Sequence, residues 1–132
     1  MIVDTSALLA VLFAEPDADE FAHKLATDED KFMTPFNALE ADIVVGARKG
    51  RDGQRELELL LHYSGVEVLP FTNDMRVIAA EAWTRYGKGR HAAGLNIGDC
   101  CAYALAVVLN DSLLFKGDDF SLTDISRHGQ QC

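Results

Sequence analysis

MIVDTSALLAVLFAEPDADEFAHKLATDEDKFM, residues 1–33, decides the fold. Met1 to Asp4 is a short apolar run closed by an acid, the pattern of a buried strand. Thr5 or Ser6 then caps a helix whose apolar residues are Leu8, Leu9, Leu12 and Phe13. Pro16 marks its end. Asp17 opens a second helix with Ala18, Phe21, Ala22 and Leu25, and Lys31-Phe32-Met33 forms a second strand. Two strands joined through helices make a parallel crossover, so the chain begins as a βαβ-type unit.

The same alternation continues outward. Thr34 caps a helix with Pro35 at its first position, running to about Lys49 and stopped by Gly50. Gly53 to Ser64 is a further helix with Leu57, Leu60 and Leu61 inside, and Gly65 stops it. Val66 to Leu69 is a third strand. Thr72-Asn73-Asp74 starts a helix through about Tyr86, followed by the basic, glycine-rich loop GKGRHAAG at 87–94. Ile97 to about Leu109 is a strongly apolar helix, Ser112 to Phe115 a fourth strand, and Gly117-Asp118-Asp119-Phe120 a loop at its end. The tail after Ile125 is polar and is expected to fray. Alternating strands and helices define an α/β protein with a parallel sheet, and 132 residues suit one domain, 1–132.

Composition bounds the function. With 48% hydrophobic and 25% charged residues the chain can build a core. No apolar run approaches the ~18–20 residues of a membrane span, and the N-terminus lacks the basic start of a signal peptide, so a cytoplasmic protein is expected. The three cysteines, Cys100, Cys101 and Cys132, have no zinc-site spacing and read as small hydrophobes in a reducing compartment. The net charge of −9 argues against general nucleic-acid binding. Its distribution does not. Residues 1–45 hold ten acids and two bases, whereas 46–91 hold eight bases and six acids, which allows a local positive surface.

The acids fall where an open parallel sheet binds ligands, beyond the carboxyl ends of its strands. Asp4 ends strand one, Asp118 and Asp119 follow strand four, and Asp99 lies in the first turn of its helix after the cap residue Asn96. If strands one and four are neighbours, these acids meet. Each has a plainer alternative: Asp4 as a turn or cap residue, Asp99 as a favourable charge at a helix N-terminus, Asp118-Asp119 as loop acids. Glu40 has Phe36, Ile43, Val44 and Ala47 three or four positions away, so it is expected on the apolar stripe of its helix, where a carboxylate needs a salt bridge or a metal. Converging carboxylates repel, and a hard divalent cation such as Mg²⁺ or Mn²⁺ resolves that repulsion. The chemistry this supports is phosphodiester hydrolysis.

MIVDTSALLAVLFAEPDA, the glutamate of NALEADIVVGARKG, YGKGRHAAGLNIGDCCAYALA and LLFKGDDFSLTDI, in this order and spacing, resemble a PIN-domain ribonuclease, specifically a VapC-type toxin of a toxin–antitoxin pair. The resemblance spans essentially the whole chain. It implies a three-layer α/β/α fold with a parallel sheet of four or five strands, and a Mg²⁺- or Mn²⁺-dependent endoribonuclease. Asp4, Glu40 and Asp99 match the family's acids. The pattern KG-x-D-F favours Asp119 as the fourth, with Asp118 in reserve. Asp4 and Asp99 are then the main metal ligands, Glu40 and Asp119 act through water or a second ion, and Thr5 or Ser6 supports the metal water. The family also implies a homodimer, a VapB-type antitoxin and a structured RNA substrate. Arg48, Lys49, Arg51, Arg85, Lys88, Arg90 and His91 are candidates to hold the RNA backbone, and Lys116 to contact a phosphate.

Three other readings compete. A dehalogenase-type phosphatase needs a second Asp where Ser6 stands. A receiver-like switch needs an acidic pair before the strand-end Asp, and none precedes Asp4. A catalytically silent module that only binds RNA or antitoxin would bind metal without turnover.

Overall fold

The computed structural model describes residues 1–129, and Cys132 lies outside them. Four short strands, β1 (Ile2–Val3), β2 (Lys31–Met33), β3 (Val66–Val68) and β4 (Leu113–Leu114), form one parallel sheet in the order β3-β2-β1-β4. The helices are α1 (Thr5–Leu12), α2 (Ala18–Leu25), α3 (Pro35–Ser64), α4 (Asn73–Tyr86) and α5 (Ile97–Leu109). Ile2 and Leu113 of the central strands, with Phe115 just beyond β4, turn one way into a core shared with α4 and α5. Val3, Met33 and Leu114 turn the other way into a core shared with α1, α2 and the start of α3. Both faces of the sheet are therefore covered, as its all-apolar central strands require.

The strand order carries the functional consequence. The chain builds outward from β1 through β2 to β3, then returns and lays β4 on the opposite side of β1. Ile2 pairs with Leu113, and Val3 with Leu114. The order reverses between β1 and β4, and the crevice beyond their carboxyl ends is the ligand position of such sheets.

Two local expectations change and a third is met. The cap of α1 is Asp4, not Thr5 or Ser6: its side chain accepts the Ser6 backbone N–H, because strand-end backbone at φ −84, ψ 154 already has cap geometry. The tail does not simply fray. Ser126 C=O accepts from Leu113 N–H at 3.0 Å, and His128 N–H donates to Leu113 C=O at 2.9 Å, so residue 127 bridges to β4 as a fifth-strand fragment. The break at Gly50 is present, with φ 63 and ψ −154 inside α3, and it is sharp. The second half of the helix doubles back, so that a Cβ on Gly53 would stand 2.7 Å from Val45 Cγ1.

Candidate active site

Asp4 is carried from the end of β1 into the cap of α1, and its residue exposure is only 5%. Its Oδ2 accepts both the Ser6 N–H at 3.0 Å and the Ser6 hydroxyl at 2.6 Å. The same Ser6 Oγ accepts the Lys116 N–H at 2.9 Å. One hydroxyl thus ties the Asp4 carboxylate to the chain leaving β4. Neighbouring Thr5 donates to the Asn37 carbonyl at 2.9 Å, which anchors α1 to the first turn of α3.

Asp99 completes a capping box. Its N–H donates to Asn96 Oδ1 at 2.8 Å, and its Oδ2 accepts the Asn96 N–H at 3.0 Å. The structural role of this acid is therefore real, but a cap hydrogen bond holds a carboxylate charged and lowers its pKa. Asp99 goes the other way. Burial pushes it up to about 7 against the Asn96 bond, and Asp4, Asp119 and Glu40 add repulsion. Burial likewise pushes Asp4 up to about 6, opposed by the two Ser6 bonds, with Glu40 adding to the rise. Asp99 thus feels the charge of Asp4, Glu40 and Asp119, and Asp4 that of Glu40.

Glu40 arrives by a different route from the one its helix pattern suggests. Phe36, Leu39 and Ile43 are exposed at 36%, 54% and 61%, while Asn37, Ala41 and Val45 form the buried face of α3. The apolar stripe around Glu40 is an outward one, so burial in the core is not what marks it. Its carboxylate instead lies against the start of α5: a Cβ on Gly98 would stand 3.1 Å from Oε1 and 3.2 Å from Oε2. Of the loop pair, Asp119 adds its charge to the Asp99 site, whereas the Asp118 carbonyl accepts the Ser121 N–H that closes the following 3₁₀ turn, Asp119–Leu122.

This donor set fits a hard divalent ion. It consists of carboxylate oxygens, two of which, on Asp4 and Asp99, hold protons at unusually high pH. Among the described residues no three His, Cys, Asp or Glu side chains stand close enough together to hold a metal in this arrangement, so the fit is one of donor chemistry. The adjacent Cys100 is no competitor, because burial, with Asp99 beside it, pushes its thiol up to about 11.

The basic residues separate into two groups on opposite layers. Arg48 lies over Phe13 with its guanidinium 4.5 Å from the ring centroid, and Lys49 donates to the Leu12 carbonyl at 2.8 Å and pairs with Glu56. Both, with exposed Arg51 after them, sit at the far end of α1 from Asp4. Arg85, Lys88, Arg90 and His91 surround the end of α4 and the loop that leads into α5. Lys88 N–H donates to the Leu95 carbonyl at 2.9 Å, one residue before the Asn96 cap. A single patch of seven is thus replaced by two. Lys116 is held by Glu15 and by Asp17, the latter at 2.9 Å.

Two residues of the site carry no acid and were not singled out from the sequence. Buried Asn37 donates through Nδ2 to the Gly98 carbonyl at 3.1 Å, while its N–H donates to the Thr34 hydroxyl at 3.0 Å. It joins the start of α3, with Glu40, to the start of α5, with Asp99. The Thr-x-x-Asn spacing after a strand was the available signal. Gly98 supplies both that carbonyl and the space for Glu40, and a glycine inside a helical pattern was its signal.

The PIN domain family model matches residues 1–125, so fold and site together define a PIN-domain protein. The chain is 48% identical over 126 residues to Ribonuclease VapC of Mycolicibacterium smegmatis, covering 96% of this chain and 98% of that protein. It is 46% identical over 126 residues to Ribonuclease VapC30 of Mycobacterium tuberculosis, covering 96% of each. Within the PIN domain class the chain belongs to the VapC family. Its fold also matches the Mycobacterium tuberculosis toxin VapC20, described as cleaving the sarcin–ricin loop, with TM-score 0.75 at 17% identity over 94% of this chain and 95% of that one. VapBC2 of Rickettsia felis, bound to a promoter DNA fragment, matches with TM-score 0.74 at 16% identity over 96% and 94%.

Proposed function

We propose that this protein is a metal-dependent endoribonuclease acting as the toxin of a type II toxin–antitoxin pair. What supports the proposal is the like charge that Asp4, Glu40 and Asp119 each bring to Asp99, beside the adjacent strands β1 and β4, in a chain nearly half identical to VapC ribonucleases over almost its full length. Asp4 and Asp99 would hold Mg²⁺ or Mn²⁺ directly, with Glu40 and Asp119 completing the set through water or a second ion. A bound ion would supply charge neutralisation at the phosphate and a more acidic water.

The chain's own residues do the rest. Ser6 fixes Asp4 Oδ2 through its N–H and its hydroxyl. Asn96 fixes Asp99 Oδ2 through its N–H. Hydrolysis breaks the bond from phosphorus to the 3′-oxygen and leaves 5′-phosphate and 3′-hydroxyl ends. The loop group Arg85, Lys88, Arg90 and His91, next to the Asp99 helix, is placed to hold the phosphates of a structured RNA cut in an exposed loop. Arg48 and Lys49, held against Phe13, Leu12 and Glu56 at the other end of α1, are not part of that group.

The partners follow from the same reading. A VapB-type antitoxin would offset the uncompensated negative charge of the cluster with a basic side chain. A homodimer would cover the exposed Phe36, Leu39 and Ile43. Among the described residues no helix is long and apolar enough to cross a membrane, and Cys100 and Cys101 are free, in keeping with a cytoplasmic site of action. The test is RNA cleavage with Mg²⁺ or Mn²⁺ by the wild type, Asp4→Ala and Asp99→Ala. Cleavage lost in both variants is expected, and equal cleavage by all three overturns the reading. Sequencing the 5′ ends of RNAs cut on induced expression identifies the target.

A further inference from the structure

Arg127 lies beyond the last acid, in a tail whose sequence suggested no role. Its guanidinium stacks on Phe115, 3.9 Å from the ring centroid. Nη1 donates to the Phe115 carbonyl at 3.3 Å, and Nη2 to the Gly117 carbonyl at 2.7 Å and the Ser121 hydroxyl at 3.2 Å. Gly117 and Ser121 are the two ends of the turn that carries Asp118, Asp119 and Phe120. Phe120 packs back on Phe115 with centroids 4.9 Å apart. Arg127 is itself anchored, since the residues on either side of it pair with Leu113 of β4.

The turn needs such a clamp. Gly117, Asp118, Asp119 and Ser121 are all exposed, and Gly117 adopts φ +100 with no neighbour within 4 Å of the place where a Cβ would stand. Packing around Gly117 therefore does not fix the turn. Asp119 also brings like charge to Asp99, so bringing the turn closer is opposed by repulsion. A forked guanidinium that holds both ends of the turn and stacks on the strand residue before it opposes that drift. A lysine carries its three donors on one nitrogen and has no plane, so it cannot stack on Phe115 while its donors span the turn as the guanidinium fork does.

We propose that Arg127 is a positioning residue for Asp119, clamping the 117–121 turn so that this carboxylate is presented to the divalent ion. The inference rests on the metal-dependent reading above. It differs from a purely structural role in one measurable respect: its effect on metal affinity passes through Asp119.

The experiment uses the full chain and Mn²⁺ alone as the probe. Calorimetric Mn²⁺ affinity and melting temperature are measured for wild type, Asp119→Asn, Arg127→Ala, Arg127→Lys and the double variant Asp119→Asn/Arg127→Ala. Arg127→Ala is expected to weaken Mn²⁺ binding about tenfold, the scale of lost support behind a metal ligand. Arg127→Lys should fall between it and the wild type. The double variant should bind no more weakly than Asp119→Asn alone, the non-additivity of residues acting through one another. Full additivity overturns the inference, as does wild-type affinity in a folded Arg127→Ala. If Arg127→Ala does not fold, Arg127→Lys decides, and wild-type affinity there overturns it equally. Loss of Mn²⁺ binding in Asp4→Ala but not in the Arg127 variants removes this inference alone. Absence of Mn²⁺ binding in the wild type removes the metal reading and this inference with it.

Discussion

The carboxylate of Glu40 rests on Gly98, with its two oxygens 3.1 and 3.2 Å from the position of an absent Cβ. That space belongs to glycine alone. Gly98→Ala places a methyl group against the end of a flexible side chain rather than against backbone, so the fold yields cheaply while Glu40 moves. Alanine also favours the helix by about 1 kcal/mol. The melting temperature should hold or rise, and RNA cleavage should fall by about tenfold. A variant that keeps full activity would show that Glu40 does not need this seat.

Asn37 makes a different prediction, because it is buried and spans two helix starts. Asn37→Ala removes the donor to the Gly98 carbonyl and unsettles the Thr34 cap, at a cost of about 1–3 kcal/mol. Stability and cleavage should fall together, unlike in Gly98→Ala. Thermal melting alongside single-turnover cleavage separates the two cases.

Charge on Asp4 and Asp99 sets a pH dependence with a definite sign. Both folded-state values, about 6 and about 7, lie above the unfolded 3.8. The native state therefore binds these protons more tightly, and the stability they lend is fully present below about pH 4 and is lost as pH rises to about 7. Metal-free protein should melt at a lower temperature at pH 8 than at pH 5.5 through these groups, and added Mn²⁺ should erase most of the difference. Asp4→Asn keeps the helix cap, since asparagine caps as well as aspartate. It should raise metal-free stability at pH 8 by on the order of 2 kcal/mol, and Mn²⁺ should then stabilise it little. A melting series across pH with and without Mn²⁺ checks both statements.

The two basic groups should behave differently toward salt. Each lost phosphate contact lowers the salt slope of single-strand binding by about 0.7. Lys88→Ala should reduce the slope of RNA affinity by about that amount, and Arg90→Ala by less, because Arg90 is stacked on Trp83 and bonded to the Thr84 carbonyl. Arg48→Ala with Lys49→Ala should leave it unchanged, because those side chains are spent on Phe13, Leu12 and Glu56. Filter binding over a range of salt concentrations decides it.

Much of this was legible in the residues. Caps, proline and glycine stops, and the strand-end position of Asp4 are local signals, and the parallel α/β architecture follows from their alternation. The setting of Glu40 was not legible. A helix with two apolar faces does not say which one is inner, and the Phe36–Ile43 side turned out to face solvent while Asn37, Ala41 and Val45 face the core. The role of Arg127 was illegible for another reason: it depends on a pairing with β4 that no local pattern in a polar tail announces. The two basic groups looked like one because sequence proximity does not reveal which side of the sheet a helix occupies.

The insertion of β4 beside β1 has a consequence for the life of the molecule. The acids come from positions 4, 40, 99 and 119, and the strand that draws the last of them to the first is the final one to be made. While the ribosome is still building α5, Asp4 has no partner strand on its open side and the centre does not exist. The set of four acids is therefore complete only once β4 and the turn that follows it have been made.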